Sequence, residues 1–586
     1  VENADQAIEC LSWLRCAPPP EVAAELRRVL GEPEAWTEHI HRSHALARWA
    51  GAGIQARLAA LVRDRYANAS YLLQELELLS QLSDQSALAL GGSRWSMIFW
   101  AGQEDADADP ALVLAEDAAY LDFARDILEQ AGRRLDTIHA GAVPYVADGA
   151  FSVNDTPVIA RALRVAALRD EPWLAELLPR LLTLSCVAPG AAKTAPSQSL
   201  AIALGHSIEG VPTPEGVQAL RAALAVVRHA GVQKKLARNL KPAERTLLER
   251  PAVALRLTGM LKAGKREQGM VAGSLEAGWW LGTTLDMTAW RGLLQSAAGG
   301  PVARTLVWCA AWEGARVSFL GDDEPDGLPE SARLSVWHPL HADEAERAAW
   351  QALAAQRRLR QPLRQIYREF YLPPEDFAGH VLAVRQLVGL ARREGWKIDA
   401  YAGLARQFGA VRVVLKISGD IYPGADGYTE TLGLAFHLRD GKHWRERVPE
   451  QIDPVVYSEA CRAADLLVSV AGLALQVGDE LPDVVRGRHL AHLASLQRGH
   501  MVAMRRRALE LALAPLINAG KVMVTEREVN LADYRISLAT GRVTRAGAPV
   551  EMDIKAGGKL SAVPWLPYDE VLLERIAGAV SALLQA

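Results

Sequence analysis

The stretch GAVRVVLKISGD, residues 409–420, is followed by IYPGADGY and then by ETLGLAFHLRDG, residues 430–441. The first run is β-branched, the last resembles its partner strand, and the Pro- and Gly-rich octapeptide between them reads as the joining turn. Without this stretch the chain reads as helix after helix. With it, the fold class is α+β: a helical N-terminal region followed by a mixed C-terminal domain.

Working outward, ARLSVWHPL (residues 332–340) alternates toward a short strand. Two helices are predicted next, over residues 346–371 and 376–396. A third opens at DPVVYSEACRAADLLVSV, with Asp453 as N-cap and Pro454 as first helical residue. A fourth is RGHMVAMRRRALELALAPLI. Then come short strands at KVMVTE, DYRISL and GRVTRA, the last two forming a hairpin, and ERIAGAVSALLQA closes as a helix.

Upstream of about residue 320, Ala, Leu, Arg and Glu dominate. In LAEDAAYLDFARDILEQAGRRL the apolar Leu114, Ala118, Leu121, Ala124, Ile127 and Leu128 share one face, and Gly132 suits a stop. The segments 156–184 and 197–240 repeat this style, with breaks at residues 170–172, 210–214 and Gly231. Short helices with alternating apolar faces predict stacked pairs in a solenoid-like array, although no strict period is present. GDDEPDGLPES, residues 321–331, reads as an exposed linker. The expected organisation is 1–140 and 141–320 helical, and 333–586 α+β.

The chain has 586 residues, half of them hydrophobic, 23% charged, with net charge −4 and a pI near 6.4. That balance argues against a surface devoted wholly to nucleic acid. The five cysteines, Cys10, Cys16, Cys186, Cys309 and Cys461, are scattered without CxxC spacing. They predict neither a disulfide framework nor a zinc knuckle, and point to a reducing cytoplasm. No apolar run reaches the length of a membrane span. The opening VENADQAIEC is acidic, unlike a signal peptide, and lacks a leading Met, so it reads as a processed product or a fragment.

GMLKAGKR, residues 259–266, spells a phosphate-binding loop through Gly259, Gly264 and Lys265, but ends on Arg266 where Ser or Thr would hold Mg²⁺. PAVALRLT before it is a poor strand, and EQGMVAGSLEAG after it is too Gly-rich for a firm helix start, so it is read as a basic turn. His338 and His341 have i, i+3 spacing but no further ligands. Glu459, Arg462 and Asp465 fall three apart and read as an ion-pair ladder on a solvated helix face, or else as a polar face turned into a cleft beside Ser458. His380 reads as a packing residue on a helix. Two basic clusters (Arg228, Lys234, Lys235, Arg238 and Lys241; Arg505, Arg506 and Arg507) lack aromatic partners for base stacking and read as solvated faces. The first of them is the candidate face for nucleic-acid binding. No cofactor and no metal site is assigned.

The order of RQPLRQIYREFYL, FAGHVLAVRQLVGLARREGW, VVYSEACRAADLLVSVAG, DYRISLATGRV and WLPYDEVLLERIAGAVSALL resembles the MolR-like bacterial proteins, which share the large domain of unknown function 4132. The resemblance spans residue 334 to the end and continues more weakly upstream. It implies a helical-repeat region, a compact C-terminal domain, and protein partners of the AAA ATPase or von Willebrand factor A type. The WGR module that often accompanies the family is absent from this sequence. Polar positions matching the family pattern are Gln361, Arg368, Glu369, Tyr371, His380, Ser458, Glu459, Asp465, Tyr534, Arg535 and Gly541. The leading expectation is a non-enzymatic interaction or regulatory protein. The alternative is an enzyme or nucleotide-dependent effector using Arg368, Glu369, His380, Glu459, Asp465 and Arg535.

Overall fold

The computed structural model describes residues 18–30, 40–92, 110–255, 264–357, 359–399, 403–419, 421–422, 424, 426–440, 443–475, 481–495, 500–552 and 570–585. The chain divides into two compact units, Val1–Ala254 and Leu255–Ala586.

The described part of the first unit is helical. It opens with α1 (Pro20–Val29), α2 (Ile40–Ala50), α3 (Ala52–Arg65), α4 (Ser70–Leu78), α5 (Asp84–Gly92) and α6 (Pro110–Leu114). Six more helices follow: α7 (Ala118–His139), α8 (Asp155–Arg169), α9 (Leu174–Cys186), α10 (Gln198–Gly210), α11 (Pro214–Val226) and α12 (Ala230–Leu248). Asp117 caps α7 by accepting from Ala119 N. The helix then buries Tyr120, Ala124, Ile127, Leu128, Ala131, Leu135 and Ile138 along one stripe. Each of its large aliphatic side chains contributes about 1.5–3 kcal/mol on burial. Gly132 does not stop this helix, contrary to expectation. It lies mid-helix, where an added Cβ would come within 3.2 Å of Leu177 Cδ1, so it permits the close approach of α9. Helix α7 packs on α9 and α9 on α11, while α8 packs on α10 and α10 on α12. The short α13 (Pro251–Ala254) ends the unit.

The second unit is mixed α and β. It opens with α14 (Lys265–Leu281), so a firm helix does start in the segment judged too Gly-rich for one. Then come β1 (Leu285–Asp286), α15 (Met287–Gln295), α16 (Gly300–Ala303), β2 (Val307–Trp312), β3 (Ala315–Leu320) and β4 (Arg333–Val336). The strands form an antiparallel sheet in the order β1-β4-β2-β3. Residues 321–331 therefore join β3 to β4, the two strands that flank β2 in one sheet, rather than forming the expected linker, and the helical texture ends before residue 320. At Gly321 a Cβ would fall 2.1 Å from the Ala303 carbonyl oxygen, so the chain turns there only because no side chain is present.

Helix α17 (Glu344–Arg357) is shorter than the predicted helix over 346–371, whose second half is irregular. Pro362 is unsuited to a helix interior. The helix predicted over 376–396 is instead β5 (Ala378–Ala383) leading into α18 (Val384–Arg393). The strands β6 (Lys397–Asp399), β7 (Gly403–Phe408), β8 (Val411–Ile417), β9 (Tyr428–Asp440) and β10 (His443–Arg447) form the order β10-β9-β8-β7-β6, with β5 also on β9. The quoted stretch forms the strand pair expected of it, and in β8, Val411, Val413, Leu415 and Ile417 face a core shared with α18 and α19 (Pro454–Leu473). Then follow α20 (Asp483–Ser495), α21 (His500–Ala512), α22 (Ala514–Asn518) and the five-stranded meander β11 (Met523–Val524), β12 (Glu528–Leu531), β13 (Tyr534–Ser537), β14 (Val543–Arg545) and β15 (Ala548–Val550). The final α23 (Glu570–Gln585) contributes Leu573, Ile576 and Val580 to the core of that meander.

Candidate functional site

Helix α19 is fixed at its start by Asp453, whose Oδ1 accepts from Val455 N and Val456 N, with Pro454 as first helical residue. Ser458, Glu459, Arg462, Asp465 and Ser469 follow at helical spacing. Opposite them runs the irregular segment 361–371. Gln365 secures it: its carboxamide accepts from Val307 N at 2.8 Å and donates to Val307 O at 2.6 Å and Trp337 O at 2.9 Å. A side-chain amide thus stands where a strand's backbone would, extending the pairing of β2. Arg368, Glu369 and Tyr371 are held against α19 as a result.

Arg368 is 1% exposed. Its Nε donates to Glu459 Oε1 at 2.7 Å, and its Nη2 donates to Glu459 Oε2 at 2.5 Å and to Glu276 Oε1 of α14 at 2.7 Å. Nη1 donates to Arg364 O at 2.9 Å, and the guanidinium carbon lies 4.1 Å from the centre of the Trp279 ring. His338 Nδ1 accepts from Leu340 N, so Nε2 carries the proton and donates to Glu459 Oε1 at 3.1 Å. One turn along α19, Arg462 Nε donates to Glu369 Oε2 at 2.8 Å and its Nη1 lies 4.0 Å from Glu276. A further turn along, Tyr371 OH and Ser469 Oγ both donate to Asp465, at 2.5 and 2.7 Å. Ser458 Oγ accepts from Tyr371 N.

The predicted ladder is therefore corrected. Glu459, Arg462 and Asp465 pair with residues about ninety positions away, not with one another, because their helix face is interior rather than solvated. Burial alone would raise the Glu459 carboxyl. The Arg368 guanidinium, aided by His338 and Arg462, outweighs that and holds it well below the usual carboxylate range. Burial pulls Arg462 down, but Glu369, Glu459 and Glu276 raise it further, so it stays charged. Burial lowers His338 below its ordinary value, against the pull of Glu459, and keeps it neutral near pH 7.

Each of these groups is committed. An arginine saturated by two carboxylates has little left for an external anion. A carboxylate held far below its usual range is a poor proton acceptor. Both His338 nitrogens are engaged, so the His338/His341 spacing serves a hydrogen bond to Glu459. Among the described residues no three or more His, Cys, Asp or Glu are grouped so that they could hold a metal ion. What the arrangement does is tie α14, the loop after β4, the 361–371 segment and α19 into one piece.

The other expected site residues lie apart. His380 sits on β5, not on a helix, with its ring 4.1 Å from that of His492. Arg535 is exposed on β13 and donates to Ala532 O and Tyr534 O of its own strand and turn. Tyr534 carries Arg545 over its ring, and Gly541 lies between β13 and β14 with φ +64°. Gln361 donates to Thr305 O and Gln365. Gly259 lies outside the described residues. Gly264 N donates to Glu267 Oε2 at 2.8 Å, so a side chain of α14 itself occupies the position a phosphate would need, beside Lys265. Lys234, Lys235, Arg238 and Lys241 are exposed on α12, and Arg228 donates to Gly190 O. Arg505 is not solvated as expected: it is buried, with Nη1 donating to Leu538 O.

Sequence reasoning missed Glu276 and Gln365, and it missed a second buried web in the first unit. There Arg161 donates through Nε and Nη2 to Glu75, both at 2.8 Å. Tyr120 OH donates to Glu75 Oε1 at 2.6 Å, and His41 Nε2 lies 2.8 Å from Oε2. Glu75 is 0% exposed and Arg161 1%. The available signal was a charge at a core position of an apolar helix face: Glu75 in YLLQELELL and Arg161 in VIARALRVAAL.

Residues 238–396 match the family model described as "Domain of unknown function (DUF4132)". Residues 361–380 fall inside this match, whereas Ser458, Glu459, Asp465, Tyr534, Arg535 and Gly541 fall outside it. The chain is similar to "Uncharacterized protein YehI" of Escherichia coli (strain K12), 27% identical over 157 residues, which is 25% of this chain and 13% of that protein. The chain thus spans only a small part of the length of this curated relative. No solved structure matches.

Proposed function

We propose that the chain is a MolR-like, non-enzymatic interaction or regulatory component that binds a protein partner through its helical N-terminal unit. The observation that carries this reading is the commitment of the charged groups gathered around Glu459 in the second unit. Arg368, Glu459, Arg462 and His338 satisfy one another in a sealed web, and a web of that kind confers rigidity rather than reactivity. The packing of α7 on α9 on α11, and of α8 on α10 on α12, supports a solenoid-like array, an architecture whose stacked helices present extended surfaces to partners.

The resemblance suggests AAA ATPases or von Willebrand factor A proteins as partners in a bacterial cytoplasm. Cys186, Cys309 and Cys461 are free and buried, and among the described residues no helix is long and apolar enough to cross a membrane; the thiols fit a reducing compartment. One observation favours the enzymatic alternative: Glu369 Oε1 is buried without a hydrogen-bond partner, as a group awaiting a ligand would be.

Affinity capture with the full chain from native bacterial lysate, followed by crosslink mapping, tests the leading reading. The expected result is a stoichiometric protein crosslinked to α7–α12. Capture of no protein, or crosslinks confined to residues 255–586, overturns it.

A further inference from the structure

Helix α20 carries His489 and His492 three residues apart, so both rings leave one side of the helix. That side lies on β5, where the His492 and His380 ring centres are 4.1 Å apart and tilted by 59°. His489 is 2% exposed and neither of its ring nitrogens has a hydrogen-bond partner; His492 is 8% exposed. A buried imidazole without a hydrogen bond, as at His489, is uncommon, and here it shares a helix face with His492, whose ring lies against a third imidazole, His380.

The apolar part of the same contact is small: Val381 and Ala383 of β5 against Leu475, Leu481 and Val485. Among the described residues the charged groups around it are few. Asp376 O lies 3.4 Å from His380 Nε2, and the Asp376 carboxylate adds attraction. Asp465 of α19 acts on both His380 and His492, but its oxygens already accept from Tyr371 and Ser469. Arg488 of α20 pairs with Glu430 of β9 at 2.8 Å, and Arg486 with Asp483 at 3.6 Å. None of these places a carboxylate in hydrogen-bond contact with His489.

We propose that α20 is a proton-operated latch, docked on β5 while His380, His489 and His492 are uncharged and lifting when the solvent acidifies. A proton on His489 would be buried without a partner. Protons on His380 and His492 together would place two like charges in adjacent rings. Burial lowers all three imidazoles, His492 to about 4, with His380 lowering it further and Asp465 opposing. The sign follows: a group depressed when docked and ordinary when free favours docking in full above its free value of 6.5, and loses that preference as pH falls toward 4. For His492 alone, the docked-to-free ratio drops about 20-fold between pH 7 and pH 5.

Hydrogen–deuterium exchange on the full chain at both pH values, scaled for the intrinsic pH dependence of exchange, tests the latch. Peptides from 483–495 are expected to lose about 20-fold more protection than peptides from 454–473. His492→Gln and, separately, His492→Phe should flatten that difference, and His380→Gln, on the strand side, should make it shallower. Equal pH dependence in the two helices overturns the proposal. So does a His492 variant that is protected at pH 7 yet keeps the full loss at pH 5.

Discussion

Replacing Arg368 with Met keeps most of the side-chain volume over Trp279 but removes the charge that neutralises Glu459, which is only 2% exposed. Glu459 then keeps a single neutral donor, His338. Breaking a buried pair by deleting one partner costs about 3–5 kcal/mol. For the roughly 330 residues of the second unit, with an unfolding entropy near 2.1 cal/mol/K per residue, that is a fall in Tm of about 4–7 °C. Tryptophan fluorescence is the suitable probe, because Trp279 lies directly under the guanidinium. The decisive comparison is the double variant Arg368→Met/Glu459→Met, which removes both charges and is expected to recover at least half of the loss, since an apolar replacement of a whole buried pair is often neutral. Glu459→Gln carries the pH signature. The native Glu459 carboxyl is depressed below 4.5, so its contribution is present above that pH and is lost as pH falls through the folded value; the variant lacks this part of the acid limb. Single and double variants with the same Tm, or an Arg368→Met Tm within about 1 °C of the native chain, would refute the reasoning that charge neutralisation holds this unit together.

Arg161→Leu should destabilise the first unit by about 3–5 kcal/mol, read by urea denaturation, because Glu75 is left with only Tyr120 and His41. The Glu75 carboxyl is depressed, against the effect of burial, by Arg161 and His41, so that unit should weaken as pH falls below 4.5, and less so in Glu75→Gln. Gly321→Ala forces a Cβ onto the Ala303 carbonyl and should cost about 1–3 kcal/mol by the same assay, a loss that a true linker residue would not show. Glu267→Ala frees the N-terminal amide of α14 and should lower stability by about 1 kcal/mol, while neither it nor Lys265→Ala should create or abolish a thermal shift with ATP.

The strand pair at 411–417 and 428–440 was legible because the first run is β-branched and the turn between is rich in Gly and Pro. The hairpin of β13 and β14 and the Asp453–Pro454 helix start were legible for the same local reasons. Illegible was the switch from helix to strand at residues 378–383. AGHVLA is short and apolar, and only its pairing with β9 decides for strand. The irregular stretch at 361–371 was hidden likewise, because its backbone is secured by the Gln365 side chain, a contact 58 residues away along the chain. Four of the six residues proposed for a C-terminal site, Arg368, Glu369, Glu459 and Asp465, do lie along one seam. Spacing along α19 showed that its polar residues share a face, yet could not show that the face points inward. Glu276 gave no local signal at all.

The web around Arg368 also bears on what can be cut out of this chain. Its members run from Glu276 to Arg462, while the stretch shared with the domain of unknown function stops at residue 396. A fragment trimmed to that stretch would carry Arg368, Glu369 and Glu276 but leave Glu459 and Arg462 behind, so Glu369 would lose its guanidinium and Arg368 would keep one of its two carboxylates. Excising that region alone is expected to yield a less stable, aggregating polypeptide, where the longer span 264–475 keeps every counter-ion.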